Sequence, residues 1–262
     1  MDGVDDIAFL AGSEPRVAVL SALFEEGKLE KDELVERVDA ARVTVSRNLD
    51  RLSDRGLVTA SGRVWRLTPL GAFLAEDFLT AVETAGIAGH LTPVLRRLPP
   101  AAFDLDPEAL SDARVTVASA AHPYAPVDRH GETVMAADRV RMLLPAVSPR
   151  LMDESAELLR DGALEMELVV SASVAATFRS DLTDRLTDLR STGNFEVYEV
   201  GGAVPFYLGL VDGDVQIGVS DDDGIPRAIA ESDADRVRSW AEATYESYRT
   251  AAEPWNPDEP VE

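Results

Sequence analysis

The chain has 262 residues, enough for one large or two ordinary domains with real cores, and its 45% hydrophobic content argues against disorder. It has no cysteine, which excludes disulfides, thiolate metal sites and cysteine nucleophiles. Its 48 acidic and 25 basic residues give a formal net charge of -23, with Lys28 and Lys31 the only lysines. Carboxylate this dense and this evenly spread suits a surface kept hydrated in concentrated salt, where screening acts within about 3 Å. The competing reading is an acidic protein that mimics or avoids nucleic acid. No run of about eighteen apolar residues is present, and the opening MDGVDDIAFL is acidic where a secretory signal is basic. A soluble, cytoplasmic protein is therefore expected.

In chain order, an apolar cluster (Ile7, Phe9, Leu10) precedes a break at Gly12-Ser13-Glu14-Pro15. Ser13 suits a cap and proline a first helical turn. Val17, Leu20, Leu23 and Phe24 then recur at helical spacing up to Gly27. Lys31–Val38 reads as a short helix, Ala40-Ala41 as a turn, and residues 42–55 as a second helix closed by Gly56. Leu57–Ala60, Ser61-Gly62-Arg63 and Val64–Leu67 read as strand, turn and strand. Thr68-Pro69 opens a further helix that ends near Val82 or continues past Gly86 and Gly89 to Arg97. Leu98-Pro99-Pro100 is a break.

Helix, turn, helix and two-stranded ribbon form the order of a winged helix-turn-helix, which places its second helix in a DNA major groove. Val45, Leu49 and Leu52 share one face, which turns Arg42, Thr44, Ser46, Arg47 and Arg51 outward. Arginine grips guanine edges in a bidentate way, and Thr and Ser suit phosphates or short base contacts. Arg63 stands at the tip of the ribbon. Residues 41–67 hold six arginines and two acids, +4, so the rest of the chain sums to -27. One basic window on so acidic a protein is a nucleic-acid footprint. The run Val45-Ser46-Arg47-Asn48-Leu49, through Leu52, to Gly56-Leu57-Val58 resembles MarR/ArsR-like archaeal winged-helix regulators.

Beyond Pro100, strands alternate with helices. Strands are expected at Val115–Ser119, Val140–Val147, Glu165–Val170 and Phe195–Val200. Helices are expected at Val134–Asp138, Pro149–Arg160 and Ser173–Leu189. Short strands follow at Phe206–Val211, Gln216–Ser220 and Arg227–Ala230, joined by turns at Asp212-Gly213-Asp214 and Asp221–Gly224. A last amphipathic helix covers Ser232–Ala252. The fold class expected is a two-domain α+β / α/β protein. A winged helix-turn-helix (1–84) and a linker helix and break (85–100) precede an α/β domain (101–252). That domain's mixed sheet has parallel strands first and an antiparallel meander last, and a tail (253–262) is expected to fray.

Pro205–Asp212, Gly218-Val219, Gly224-Ile225-Pro226, Trp240 and Tyr248-Arg249 resemble the effector domain of archaeal regulators related to the methanogenesis regulatory protein family. The resemblance implies a sensory or oligomerising domain, related in fold to phospholipase-D-like sensors. That enzyme chemistry needs histidine and lysine two apart. His90, His122 and His130 are followed at that spacing by Thr92, Tyr124 and Glu132. His122 and His130 match neither common zinc spacing, Asp221–Gly224 lacks the calcium-loop pattern, and Gly201-Gly202 lacks a strand-to-helix setting.

No catalytic or metal site and no cofactor is expected, and cofactor-binding residues stay unassigned. The reading is a DNA-binding transcriptional regulator acting on double-stranded DNA as a homodimer, with a possible small-molecule effector. The alternatives are a protein-interaction module built on the winged helix, or an enzyme using it as a scaffold.

Overall fold

The computed structural model describes residues 3–258, so the part of the tail at 259–262 lies outside them. The chain divides into two compact units between Gly86 and Ile87. The first holds α1 (Gly3–Ala11), α2 (Glu14–Glu26), β1 (Lys28–Glu30), α3 (Lys31–Arg37), α4 (Arg42–Asp54), β2 (Val58–Ser61) and β3 (Val64–Leu67). Helix α5 (Pro69–Leu95) starts in this unit and ends in the second. The ribbon expected from the sequence has a third strand: β1 pairs with β3, giving the order β1-β3-β2. Three residues are too few to show a period, so β1 was not legible.

Leu20 and Leu23 of α2, Leu34 of α3, and Val45, Leu49 and Leu52 of α4 are fully buried together. Burying each such side chain stabilises the unit by roughly 1.5–3 kcal/mol. Thr68 fastens the wing to α5. Its Oγ1 accepts from Gly71 N (3.0 Å) and donates to the Gly56 carbonyl (2.6 Å).

The second unit begins with the end of α5. Helix α5 runs to Leu95 through the residues read as a linker helix and break (85–100), with Leu91, Val94 and Leu98 in this unit's core. Packing of those side chains outweighs the roughly 1 kcal/mol that each of Gly86 and Gly89 costs a helix. A 3-10 turn (Pro107–Leu110) follows, then β4 (Arg114–Val117), α6 (Ala125–Met135), β5 (Arg139–Leu144), α7 (Pro149–Asp161) and β6 (Glu165–Ser171). Next come α8 (Ala172–Asp181), α9 (Thr183–Ser191), β7 (Phe195–Val200), β8 (Tyr207–Val211), β9 (Asp214–Ser220), β10 (Pro226–Ser232), α10 (Asp235–Ala251) and β11 (Glu253–Pro254).

The eight strands order as β11-β7-β6-β5-β8-β9-β10-β4. Strands β5, β6 and β7 pair in parallel and the remaining pairs are antiparallel, so the sheet is mixed as expected. Successive residues point to opposite faces. Met166, Leu168 and Val170 thus join one apolar layer and Val169 the other. Helix α10 packs on the second layer's face, while α8 and α9 pack on the first.

Four expectations differ from the structure. Strand β4 runs in the direction of β5 to β7 but pairs with β10, at the far edge of the sheet. The helix placed at Val134–Asp138 runs over 125–135, with Gly131 inside it. A Cβ there would stand 2.7 Å from the Leu151 side chain, so α7 packs where that Cβ would be. The single helix over 173–189 is broken at Leu182. There φ is -131°, and Thr183 Oγ1 donates to the Arg179 carbonyl (2.6 Å), competing with the backbone ladder.

The tail does not fray at its start. Glu253 and Pro254 pair with β7, Trp255 N donates to the Val197 carbonyl (2.9 Å), and the indole is buried.

Candidate nucleic-acid interface

Helix α4 is amphipathic at a period of 3.6, and its buried stripe of Val45, Asn48, Leu49 and Leu52 fixes which residues face out. Asn48 is tolerated there because its Nδ2 donates to the Thr44 carbonyl (3.1 Å). Val43, Arg47 and Arg51 form the outward ridge at four-residue spacing, all exposed. Thr44 and Ser46 are half-buried on its flanks. The first turn has Ala41 at the cap and no side chain capping it, which leaves the N–H groups of Arg42 and Val43 open to an acceptor.

The six arginines of the window divide into two sets. Arg42 pairs with Asp32 of α3, both well exposed, and Lys31 donates to Ser46 Oγ, so this flank faces α3. Arg55 turns away from the ridge. It pairs with Asp6 (2.6 Å) and lies over the Phe9 ring (4.0 Å). Arg16 lies over the same ring (3.9 Å). Burial, and then the charges of Arg51 and Arg55, hold the Arg16 guanidinium below its ordinary value. Arg16 and Arg55 thus share the Phe9 ring, and Arg51 is close enough for its charge to act on Arg16.

Arg47, Arg51, Arg63 and Arg66 are exposed and make no ion pair among the described residues. Arg63 occupies the two-residue loop between Ser61 and Val64, after Gly62 with φ +66°. A positive φ at the first loop position alone is the type II′ pattern, which matches the strand twist and holds the wing tip out.

Of the residues singled out from sequence, Arg47, Arg51 and Arg63 stand unpaired and exposed, while Arg42 and Ser46 are engaged with α3. Thr44 is half-buried. Two residues were missed. Val43 is 68% exposed on the ridge, which an apolar pattern assigns to the core by default. Lys31 reaches α4 from α3 through a contact 15 residues apart in sequence.

Two family models match the chain. One, described as the HVO_A0261 N-terminal domain, matches residues 4–88. The other, described as the methanogenesis regulatory protein FilR1 middle domain, matches residues 123–251. A search of the curated proteins finds no match.

Among solved structures, the chain is similar to the archaeal chromatin protein TrmBL2 (13% identity, TM-score 0.44, covering 95% of this chain and 98% of that one). It is also similar to the phospholipase D family member Nuc from Salmonella typhimurium (10% identity, TM-score 0.43, covering 55% and 99%). A third is the MarR family regulator SPO1453 from Silicibacter pomeroyi DSS-3 (27% identity, TM-score 0.28, covering 34% and 71%). Over residues 4–88 and 123–251 the chain thus carries an HVO_A0261-type N-terminal domain followed by a methanogenesis regulatory protein middle domain.

Proposed function

We propose that the protein is a sequence-specific DNA-binding transcriptional regulator that inserts α4 into the major groove and sets the wing against the backbone. The observation that carries this reading is the ridge of α4. Arg47 and Arg51 are exposed without acidic partners among the described residues, in a chain of net charge -23. Arg47 and Arg51 read base edges or grip phosphates, Val43 offers a methyl contact to thymine, and Arg63 meets the minor groove or a phosphate. Arg42 joins them by exchanging Asp32 for DNA. That exchange costs little, because an exposed pair contributes about 0–1 kcal/mol. Thr44 and Ser46 position the helix on the backbone.

The protein acts as a homodimer, because one recognition helix covers one half-site and two-fold pairing doubles the contacts. Residues 80–90 of α5 offer the surface. They are exposed apart from half-buried Ile87, and Glu83 is their only acidic or lysine/arginine residue. The second domain carries the regulatory input, a small-molecule effector, and no reaction is assigned to it.

Mobility shift of a double-stranded fragment from upstream of the protein's own coding sequence tests the reading. The Arg47→Ala/Arg51→Ala variant loses the specific shift, each lost base contact costing about 1–3 kcal/mol. If the two side chains grip phosphates instead, the salt slope of binding falls by about one per contact. Unchanged affinity and slope in the folded variant overturn the assignment of α4.

A further inference from the structure

Every methionine of the chain other than Met1 lines one cavity in the second unit. The cavity has a volume of about 570 Å³, within the roughly 300–1,000 Å³ of small-molecule sites. Met135 at the end of α6, Met142 on β5, Met152 on α7 and Met166 on β6 converge there from four elements. Unbranched thioethers repack around varied shapes and favour the edges of aromatic rings. In a chain so poor in methionine, this convergence marks a surface built for a guest ring.

The cavity's charge is as specific as its walls. Asp128 and Arg150 are the only acidic or arginine side chains lining it. They pair with each other at 3.0 Å and are both more than half exposed, which places them at the mouth. The interior offers no unpaired charge to a ligand.

It does offer one directed polar atom. Gln216, behind the lining, is fully buried, and its Nε2 donates to Glu231 Oε1 (3.1 Å), which fixes the amide so that Oε1 faces the lining residues His130 and Tyr207. Onto that oxygen converge His130 Nδ1 (2.9 Å) and the Tyr207 hydroxyl (3.2 Å). His130 therefore carries its proton on Nδ1 and presents a lone pair at Nε2.

No described residue hydrogen-bonds Nε2, and the ring lines the cavity, so Nε2 is the ring atom left for a guest. Burial holds the imidazole below its ordinary value, against the pull of Gln216 and Glu231, and so favours its neutral form. The arrangement is braced on both sides. Arg129 and Thr133 hold Glu231 from α6 (2.7 and 3.3 Å). Gly218 and Gly209 leave room for Tyr207: a Cβ on either would fall 2.9 and 2.1 Å from its ring and hydroxyl.

We propose that this cavity binds an uncharged aromatic small molecule with one hydrogen-bond donor, of which a phenolic hydroxyl is the model, donating to His130 Nε2. A carboxylate would set its lone pairs against that of Nε2, close to Glu231. An ammonium would lose its hydration with no free carboxylate to replace it. That this ligand is the regulator's effector rests on the reading of the protein as a regulator, whereas its binding does not.

The test uses the full chain and four probes observed by fluorine NMR: 4-fluorophenol, 4-fluoroanisole, 4-fluorobenzoate and 4-fluorobenzylamine. The phenol binds about tenfold or more tightly than either charged probe. His130→Phe keeps a ring edge-on to Tyr207, weakens the phenol about tenfold and leaves the anisole within about twofold. Val127→Trp, at a half-buried lining position, displaces both neutral probes. Benzoate binding as tightly as phenol, or phenol binding unmoved by both variants, overturns the proposal. The phenol-to-anisole ratio in His130→Phe decides even where Val127→Trp fails to fold. A chain that shifts DNA but binds none of the probes overturns the cavity alone. One that binds 4-fluorophenol and leaves DNA unshifted overturns the regulator reading alone.

Discussion

At Gly71, in the first turn of α5, helix propensity and packing pull in opposite directions. Alanine is favoured over glycine inside a helix by about 0.8–1.0 kcal/mol. A Cβ at Gly71, however, would stand 1.9 Å from the Leu57 carbonyl oxygen and 2.8 Å from its carbon. Those are backbone atoms at the base of the wing, and they cannot swing aside as a side chain can. Overpacking costs about 1–3 kcal/mol, so packing wins and Gly71→Ala destabilises the protein. Gly86 in the same helix has nothing within 4 Å of its Cβ position. There propensity acts alone, and Gly86→Ala stabilises by about 0.5–1 kcal/mol. Chemical denaturation of the two variants beside the parent measures both signs. A Gly71→Ala variant as stable as Gly86→Ala would mean that α5 does not close on the wing as described.

Among the elements, β11 and the residue after it show what two paired residues can do. Trp255 is 1% exposed, lies edge-on to Phe178 (6.2 Å) and has Arg190 over its ring (5.8 Å). Arg190 also donates to the Trp255 carbonyl (3.1 Å). The tail is thus a clasp over α8, α9 and β7, although its indole N–H finds no partner among the described residues. Trp255→Ala removes one of the largest buried side chains and costs about 3–5 kcal/mol, read as a lower denaturation midpoint with a cooperative transition retained. A loss under about 1 kcal/mol would leave the tail peripheral.

The sequence pattern could not show this clasp, because its signal is one tryptophan in a run of prolines and acids. Helix α4 was legible because three leucine-type positions repeat at a helical period and a glycine ends them. Strand β1, the break at Leu182 and the start of α6 carry no period long enough to read. Arg55 looked like part of the basic face until its partner, Asp6, 49 residues away, turned it inward. His130 and Gln216 are 86 residues apart, so their pairing exists only in the folded sheet.

Over the whole molecule, stability and DNA binding answer to salt in opposite ways. With a net charge of -23 the folded chain repels itself, and added ions relieve that repulsion as the screening length shrinks from about 10 Å at 0.1 M to about 3 Å at 1 M. Surface ion pairs work the other way. Pairs such as Arg150–Asp128 and Arg160–Asp188 are about half exposed and weaken as salt rises. Each is worth only about 0–1 kcal/mol before screening. The surplus of 23 negative charges has no partner to lose, so relief of repulsion dominates. The melting temperature therefore rises between 0.1 and 1 M KCl, a salt chosen over sulfate because sulfate strengthens apolar burial by itself. DNA affinity falls over the same range, because the cations that the basic ridge of α4 and the wing displace from DNA gain less entropy on release as bulk salt increases. Thermal unfolding and mobility shift run in parallel KCl series check both trends. A melting temperature that falls with KCl would show that attraction within the ion pairs outweighs repulsion among the excess carboxylates.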